Sequence, residues 1–223
     1  MTHSIKLADA TFTKVIGTPI AHLDLADMFL LLGGTQAEST KNYAGAKDTA
    51  VVVGSPVYAA NYATVSNLNG FEESAAASST SFTYIGVVTQ NTGSTYMPYL
   101  GRVGGTNGSE LTRNTTNLNL VMNSPTASTP MGASGFQFIA GSYNNPNAAI
   151  YLGGAGALTK ATASAARTID ANKFRIGGFG GIYTGTFNAA AVGFFKSALT
   201  ETQVLELYLS LQKALLLRGV TVA

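Results

Sequence analysis

The sequence predicts an all-β fold, two antiparallel sheets packed as a sandwich, closed by one carboxy-terminal helix. Three observations carry this. Short runs of β-branched and aromatic residues recur along the 223-residue chain, each broken by Gly, Pro or Asn turns. Charged residues make up only 11%, and the polar load falls on Ser, Thr, Asn and 25 Gly, a composition suited to strands and turns. Only the last segment carries helical periodicity with a cap at each end. At this length one domain, residues 1–223, buries about 70% of the surface its unfolded chain exposes, so no second domain is required.

Taken in order, residues 1–20 read as an amino-terminal arm. Lys6 stands there with no uninterrupted apolar run behind it, so the segment lacks the layout of a secretory signal. Residues 28–32 are a continuous apolar run ended by Gly33 and Gly34, a strand buried on both faces. Residues 50–53 stop at Gly54 and Pro56, and 58–65 resume as one strand before the turn at 67–70. Residues 81–88 are rich in β-branched and aromatic side chains and break at Asn91 and Gly93.

Residues 117–122 alternate, with one wet face. Residues 135–143 and 148–152 form a hairpin across Asn144, Asn145, Pro146 and Asn147. Residues 73–80 are small and polar and carry no assignment. Residues 158–167 are an Ala/Thr/Ser stretch that propensity alone would make a helix; inside a β chain they read as a loop and an edge strand. A strand at 174–178 leads through 185–187 to another at 191–195, and the helix follows.

That helix is expected over 200–218. Thr200 is the N-cap, Gln203 completes a capping box, Glu201 suits the positive end, and Gly219 closes it after Arg218. Val204, Tyr208, Leu211 and Leu215 form a stripe that Leu205 and Leu216 widen. Such a stripe packs on its own sandwich or on a neighbouring subunit.

Several function classes are excluded. The +2 charge comes from separated residues such as Lys41, Arg102, Arg113 and Lys160, with no basic run interleaved with aromatics, so no nucleic-acid partner is expected. Residues 25–32 are too short, and too interrupted by Asp27, to insert in a membrane. With no Cys there is neither a disulfide nor a thiolate metal site. His3 and His22 are the two possible bases; both sit near the amino terminus, with no nucleophile elbow nearby, and read as surface or turn residues. The Gly-rich stretch 101–108 lacks the Lys-Ser/Thr ending of a phosphate loop and reads as a turn.

The order of strand, Gly177-Gly178, aromatic-ending strand and Lys196-x-Ala198-Leu199-Thr200, followed by a helix passing through Leu207 and Tyr208, resembles the end of concanavalin A-like jelly rolls of the laminin-G type. The resemblance covers about the last fifty residues well and the earlier strands more loosely. Residues 42–45, 53–58 and 69–71 also look like turns common in jelly-roll proteins of tailed bacteriophages.

The resemblance implies a jelly roll and, by analogy, a place in a virion. Residues 188–191 lack the acidic residue that many members carry there, and Asp24 and Asp27 read as solvated or capping groups, so no calcium or other cofactor is expected. The fold's glycoside hydrolases place two carboxylates on one strand face. Here Glu72 and Glu73 are adjacent, point to opposite faces and read as surface charges, so no enzyme is expected.

Binding or structure remains. Tyr96, Tyr99, Tyr143, Tyr151 and Tyr183 are candidate platforms for sugar rings, with Asn144, Asn145 and Asn147 as hydrogen-bonding neighbours; the competing reading has the tyrosines lining sheet faces or subunit contacts. The resulting expectation is a non-enzymatic structural or recognition module of a phage particle, homo-oligomeric as a trimer or dimer and contacting other virion proteins. A lectin-like binder of host surface glycans is the alternative, and a glycoside hydrolase the distant third.

Overall fold

The computed structural model describes residues 19–45, 48–75, 81–90, 92–93, 96–102, 108–121, 127–132, 135–164, 166, 171–180 and 184–223. The expectations placed on 1–18, which include His3, on 76–80, on the middle of the Gly-rich stretch and on Tyr183 lie outside these residues.

Met28–Leu31 (β1), Val51–Val53 (β2), Val57–Tyr58 (β3), Ala63–Ser66 (β4) and Gly70–Glu72 (β5) come first. Ser81–Thr89 (β6), Tyr96–Arg102 (β7), Ser109–Asn114 (β8), Asn117–Val121 (β9) and Ala127–Pro130 (β10) follow. Phe136–Asn144 (β11), Asn147–Gly154 (β12), Ala157–Ser164 (β13), Arg175–Gly177 (β14) and Thr186–Phe195 (β15) come next; the helices are Gln36–Ser39 (α1) and Glu201–Leu216 (α2). One sheet runs β13-β12-β11-β6-β15-β4-β3, with β1 pairing β15 beyond the end of β4. The other runs β10-β9-β8-β7-β14-β5-β2. The molecule is a two-sheet antiparallel sandwich with one long carboxy-terminal helix.

Strand β15 shows how the layers are built. Phe187 and Ala189 face the core between the sheets, and so do Val192 and Phe194; Ala190, Ala191 and Phe195 face the layer beneath α2. Inward residues are odd-numbered before Ala190 and even-numbered after it. The register slips between Ala189 and Ala191, and a bulge of one extra residue is what inverts a period-two pattern. Strand β1 behaves as its apolar run requires: Met28 and Leu30 enter the inter-sheet core while Phe29 and Leu31 enter the helix layer.

The helix packs on its own sheet. Val204, Leu207, Tyr208, Leu211, Ala214 and Leu215 are buried. Leu216, expected in the stripe, is 62% exposed, because one further helical step carries it about 100° off the buried line; Leu207 and Ala214 fill the face instead. The capping box forms as expected, with the Gln203 amide donating to Thr200 Oγ1 at 3.3 Å and the Thr200 amide to Gln203 Oε1 at 2.9 Å. Gly219 takes a left-handed φ of 75°, which lets Val220 N donate to Leu215 O and close the helix.

Other elements depart from the linear reading. Residues 58–65 are not one strand: β3 and β4 form a hairpin whose turn is held by the Ala59 amide donating to Tyr62 O. Strands β7, β8 and β10 have no clear signal in the sequence. Pro98 disguises β7, and it is tolerated because the pairing with β8 slips between Pro98 and Leu100. Gly101 and Arg102, read as part of a turn, are the last residues of that strand. The face of β9 expected to be wet holds Asn119, which is buried. The Ala/Thr/Ser stretch is edge strand β13 over Ala157–Ser164.

At Gly70, where β5 meets β14, an added Cβ would lie 1.9 Å from Ile176 O, whereas at Gly154 nothing lies within 4 Å. Gly70→Ala should therefore cost about 1–3 kcal/mol or more in thermal unfolding, and Gly154→Ala should be neutral or stabilising by up to about 1 kcal/mol. Equal melting temperatures for the two variants would contradict the packing of β5 on β14.

Candidate functional site

The site begins with a loop. Residues 196–200, between β15 and α2, are fastened to the helix-side face of the sheet by Thr83, whose Oγ1 donates to Ser197 O at 3.0 Å and accepts from Leu199 N at 2.8 Å. Ser142 Oγ adds a donation to Leu199 O. Both hydroxyls are buried, and β-branched Thr83 is at home on the pleat of β6. This fixes where α2 starts and how much of the sheet it covers. Beyond its first turn, the ends of β11, β12 and β13 are left open.

A cleft of about 650 Å³ occupies that space. Ala148, Ala149, Ala163, Ala198 and Leu199 supply apolar surface, and Asn144, Asn147, Lys160, Thr162, Ser164 and Thr200 supply polar groups. Strand alternation explains the polar set on β13, where residues 160, 162 and 164 share a face. Lys160 Nζ lies 2.7 Å from Glu201 Oε2, so the lone cation of the cleft is neutralised by the helix's first residue. That hydrogen bond holds the Lys160 ammonium above the ordinary lysine range. The chemistry on offer is a rim of amides and hydroxyls, donors and acceptors together, over small apolar side chains.

Of the residues the sequence singles out, Asn144 and Asn145 are exposed, and Asn144 lines the cleft. Asn145 sits at the hairpin tip, its Oδ1 accepting from Tyr143 Oη at 3.0 Å. The tyrosines are placed otherwise. Tyr143 is wholly buried between the sheets, packed against Phe82. Tyr151 is 3% exposed beneath Lys160, and burial raises its hydroxyl pKa. Tyr99 is wholly buried edge-on to Phe187, in the other sheet. None of these three offers a free ring face, so sugar stacking on them is corrected to core packing. Tyr96, half-buried and also in the other sheet, donates to Glu110. Linear reasoning misses Lys160, Thr162, Ser164 and Thr200, although the alternation of Thr and Ala through β13 was a signal.

The carboxylates are committed elsewhere. Glu72 is buried, not a surface charge: its two oxygens meet Lys173 Nζ at 2.7 Å and Arg175 Nε at 2.8 Å, because β5 and β14 pair at this point. Glu73 accepts from Phe174 N at 2.9 Å, and burial raises its pKa. Asp27 caps the end of β15, accepting from Lys196 N and pairing with its ammonium. His22 stands at a turn, 2.7 Å from Glu206. Among the described residues no three His, Asp or Glu side chains cluster as metal ligands, and no helix is long and apolar enough to cross a membrane.

No family model matches the chain, and no curated protein matches it. Solved structures do. The ligand-binding domain of botulinum neurotoxin serotype D, in complex with N-acetylneuraminic acid, superposes with a TM-score of 0.62 at 10% identity, over 83% of this chain and 51% of that one. A mutant of Trypanosoma rangeli sialidase displaying trans-sialidase activity superposes with a TM-score of 0.63 at 14% identity, over 87% of this chain and 34% of that one. The chain thus spans about half the length of the first and a third of the second. At these identities the likeness is one of fold.

Burial raises the pKa of Glu110, opposed by the hydrogen bond from Tyr96. The folded state then holds this proton more tightly than the unfolded chain does, so the group's contribution to stability falls as pH rises through the carboxylate range. Glu110→Gln removes that titration. The melting temperature of the variant minus that of the native chain should be larger at about pH 7 than at about pH 4. A difference independent of pH would refute the assignment.

Proposed function

We propose that this chain is a non-enzymatic recognition module that binds carbohydrate in the cleft between the start of α2 and the ends of β11–β13. The observation that carries the reading is the cleft's chemistry. Sugars present hydroxyls for amides and alcohols, and C–H faces for small apolar surfaces, and both are here within a volume that admits one or two rings. The fold supports it further, since the neurotoxin domain of similar architecture is described as ligand-binding and holds N-acetylneuraminic acid. Recognition works by hydrogen bonds without aromatic stacking, because no ring lines the cleft among the described residues. Specificity is then set by which hydroxyls find partners.

The non-enzymatic part of the reading is supported by the state of the acids: Glu72 is bridged by two cations, and Glu73 lies outside the cleft. The setting we infer is a phage particle, where the chain works as a tail-associated or surface module on the strength of its jelly-roll resemblance. Exposed Val57 on edge strand β3 and Leu68 in the turn between β4 and β5, each 66% accessible, suit burial against another copy or another virion protein.

A glycan array followed by calorimetry tests the binding. Specific retention of a surface glycan is expected, weakened about tenfold or more in Asn144→Ala/Asn147→Ala, since each hydrogen bond contributes about 0.5–1.5 kcal/mol. Binding unchanged in that variant, or sustained turnover of the bound glycan, would sink the reading. Light scattering on the native chain should give a dimer or trimer mass, and a strict monomer at high concentration would remove the assembly part alone.

A further inference from the structure

Among the described residues the least satisfied group is a buried cation. Arg102 ends β7 with its side chain wholly inaccessible, its guanidinium carbon 4.5 Å from the centre of the Phe194 ring in the opposite sheet. Phe194 stacks on Phe174 at 5.1 Å, and Phe174 on Tyr84 at 5.2 Å, so the guanidinium caps an aromatic column between the sheets. A ring satisfies the face of a guanidinium and leaves its edges unserved, and all five N–H donors lie at the edges. None of Nε, Nη1 and Nη2 has a hydrogen-bond partner.

The groups around it are engaged. The Tyr84 and Ser109 hydroxyls share a hydrogen bond of 2.6 Å beside the β7–β8 pairing. Glu73 feels the charge of Arg102 but makes no ion pair with it, its carboxylate turned to Phe174 N. Asp27 is held by Lys196. An arginine cannot shed its proton at any ordinary pH, so it cannot escape the cost of burial by neutralising. A buried charge that is neither neutralised nor paired calls for a counter-ion.

We propose that Arg102 anchors a buried site for a halide-sized monovalent anion between the sheets, at the end of the sandwich where β7 meets β8 and β14. The occupant is small because the side chain is closed to solvent, which rules out a sugar acid or a nucleotide. Chloride meets the need: a spherical acceptor takes two or three N–H donors from the guanidinium edge and leaves the aromatic face undisturbed. The site is independent of the carbohydrate cleft, which is built on β11–β13 of the larger sheet and the loop before α2.

Two measurements test it. Melting of the native chain at constant sodium and constant ionic strength, with gluconate replaced stepwise by chloride, should show a saturable rise of several degrees, since an ion bound only by the native state stabilises by mass action. Arg102→Met should lose that dependence. Should the variant fail to fold, crystals of the native chain soaked in bromide decide the matter, with an anomalous peak expected at hydrogen-bond distance from the Arg102 nitrogens. Ordered water at those nitrogens with bromide only on the surface, equal melting in gluconate and chloride, or a chloride dependence retained by Arg102→Met would each overturn the proposal.

Discussion

Strand β15 is the constraint on which the rest of the molecule depends. It pairs with β6 on one side and with β4 and β1 in succession on the other, so it lies inside the larger sheet and has no free edge. It is also buried on both faces, against the second sheet and against α2. A strand so enclosed tolerates few polar side chains, and its last nine residues carry one, Asn188, hydrogen-bonded to Thr64 at 2.8 Å. The bulge near Ala190 lets one strand serve two cores whose apolar demands fall on different parities. Without it, either Phe187 or Phe194 would face the wrong layer.

The helix follows from the same strand. Residues 196–200 leave β15 and are fastened at once to Thr83 and Ser142, which gives α2 little choice of position. It settles where Gly153 permits, since a Cβ there would lie 2.7 Å from the Tyr208 ring. Because the helix begins only after this staple, it covers the middle of the sheet and leaves the hairpin end of β11 and β12 bare. The cleft is therefore a by-product of how the helix is anchored. Its polar rim is what a solvent-facing sheet end would carry in any case, which is why composition alone does not advertise it.

Polar burial divides into two regimes in this protein. Glu72, Thr83 and Ser142 sit in full hydrogen-bond or ion-pair networks that hold strands and loop together. Arg102 stands apart, buried against aromatic rings with its edges unserved. Low overall charge makes the contrast sharper, since few neighbouring carboxylates exist to compensate a buried cation.

The sequence by itself determined the elements whose signals are local. Thr200, Gln203 and Gly219 announced the helix because capping is written within a few residues; residues 28–32 announced a doubly buried strand because every side chain there is apolar, and 81–88 announced a strand by their β-branched and aromatic content. Tertiary structure alone decided what depends on partners distant in the chain. It hid β7 behind Pro98, which only a slipped register with β8 makes tolerable, and it turned Glu72 from a surface charge into a buried tie by bringing Lys173 and Arg175 across from β14. It also sent Tyr99, Tyr143 and Tyr151 into the cores, because a tyrosine's apolar body follows the pleat of its strand and period-two alternation does not say which face a sheet will cover. The cleft gathers Asn144, Asn147, Thr162 and Thr200 from four segments, a meeting made by sheet order and helix anchoring that no local pattern contains.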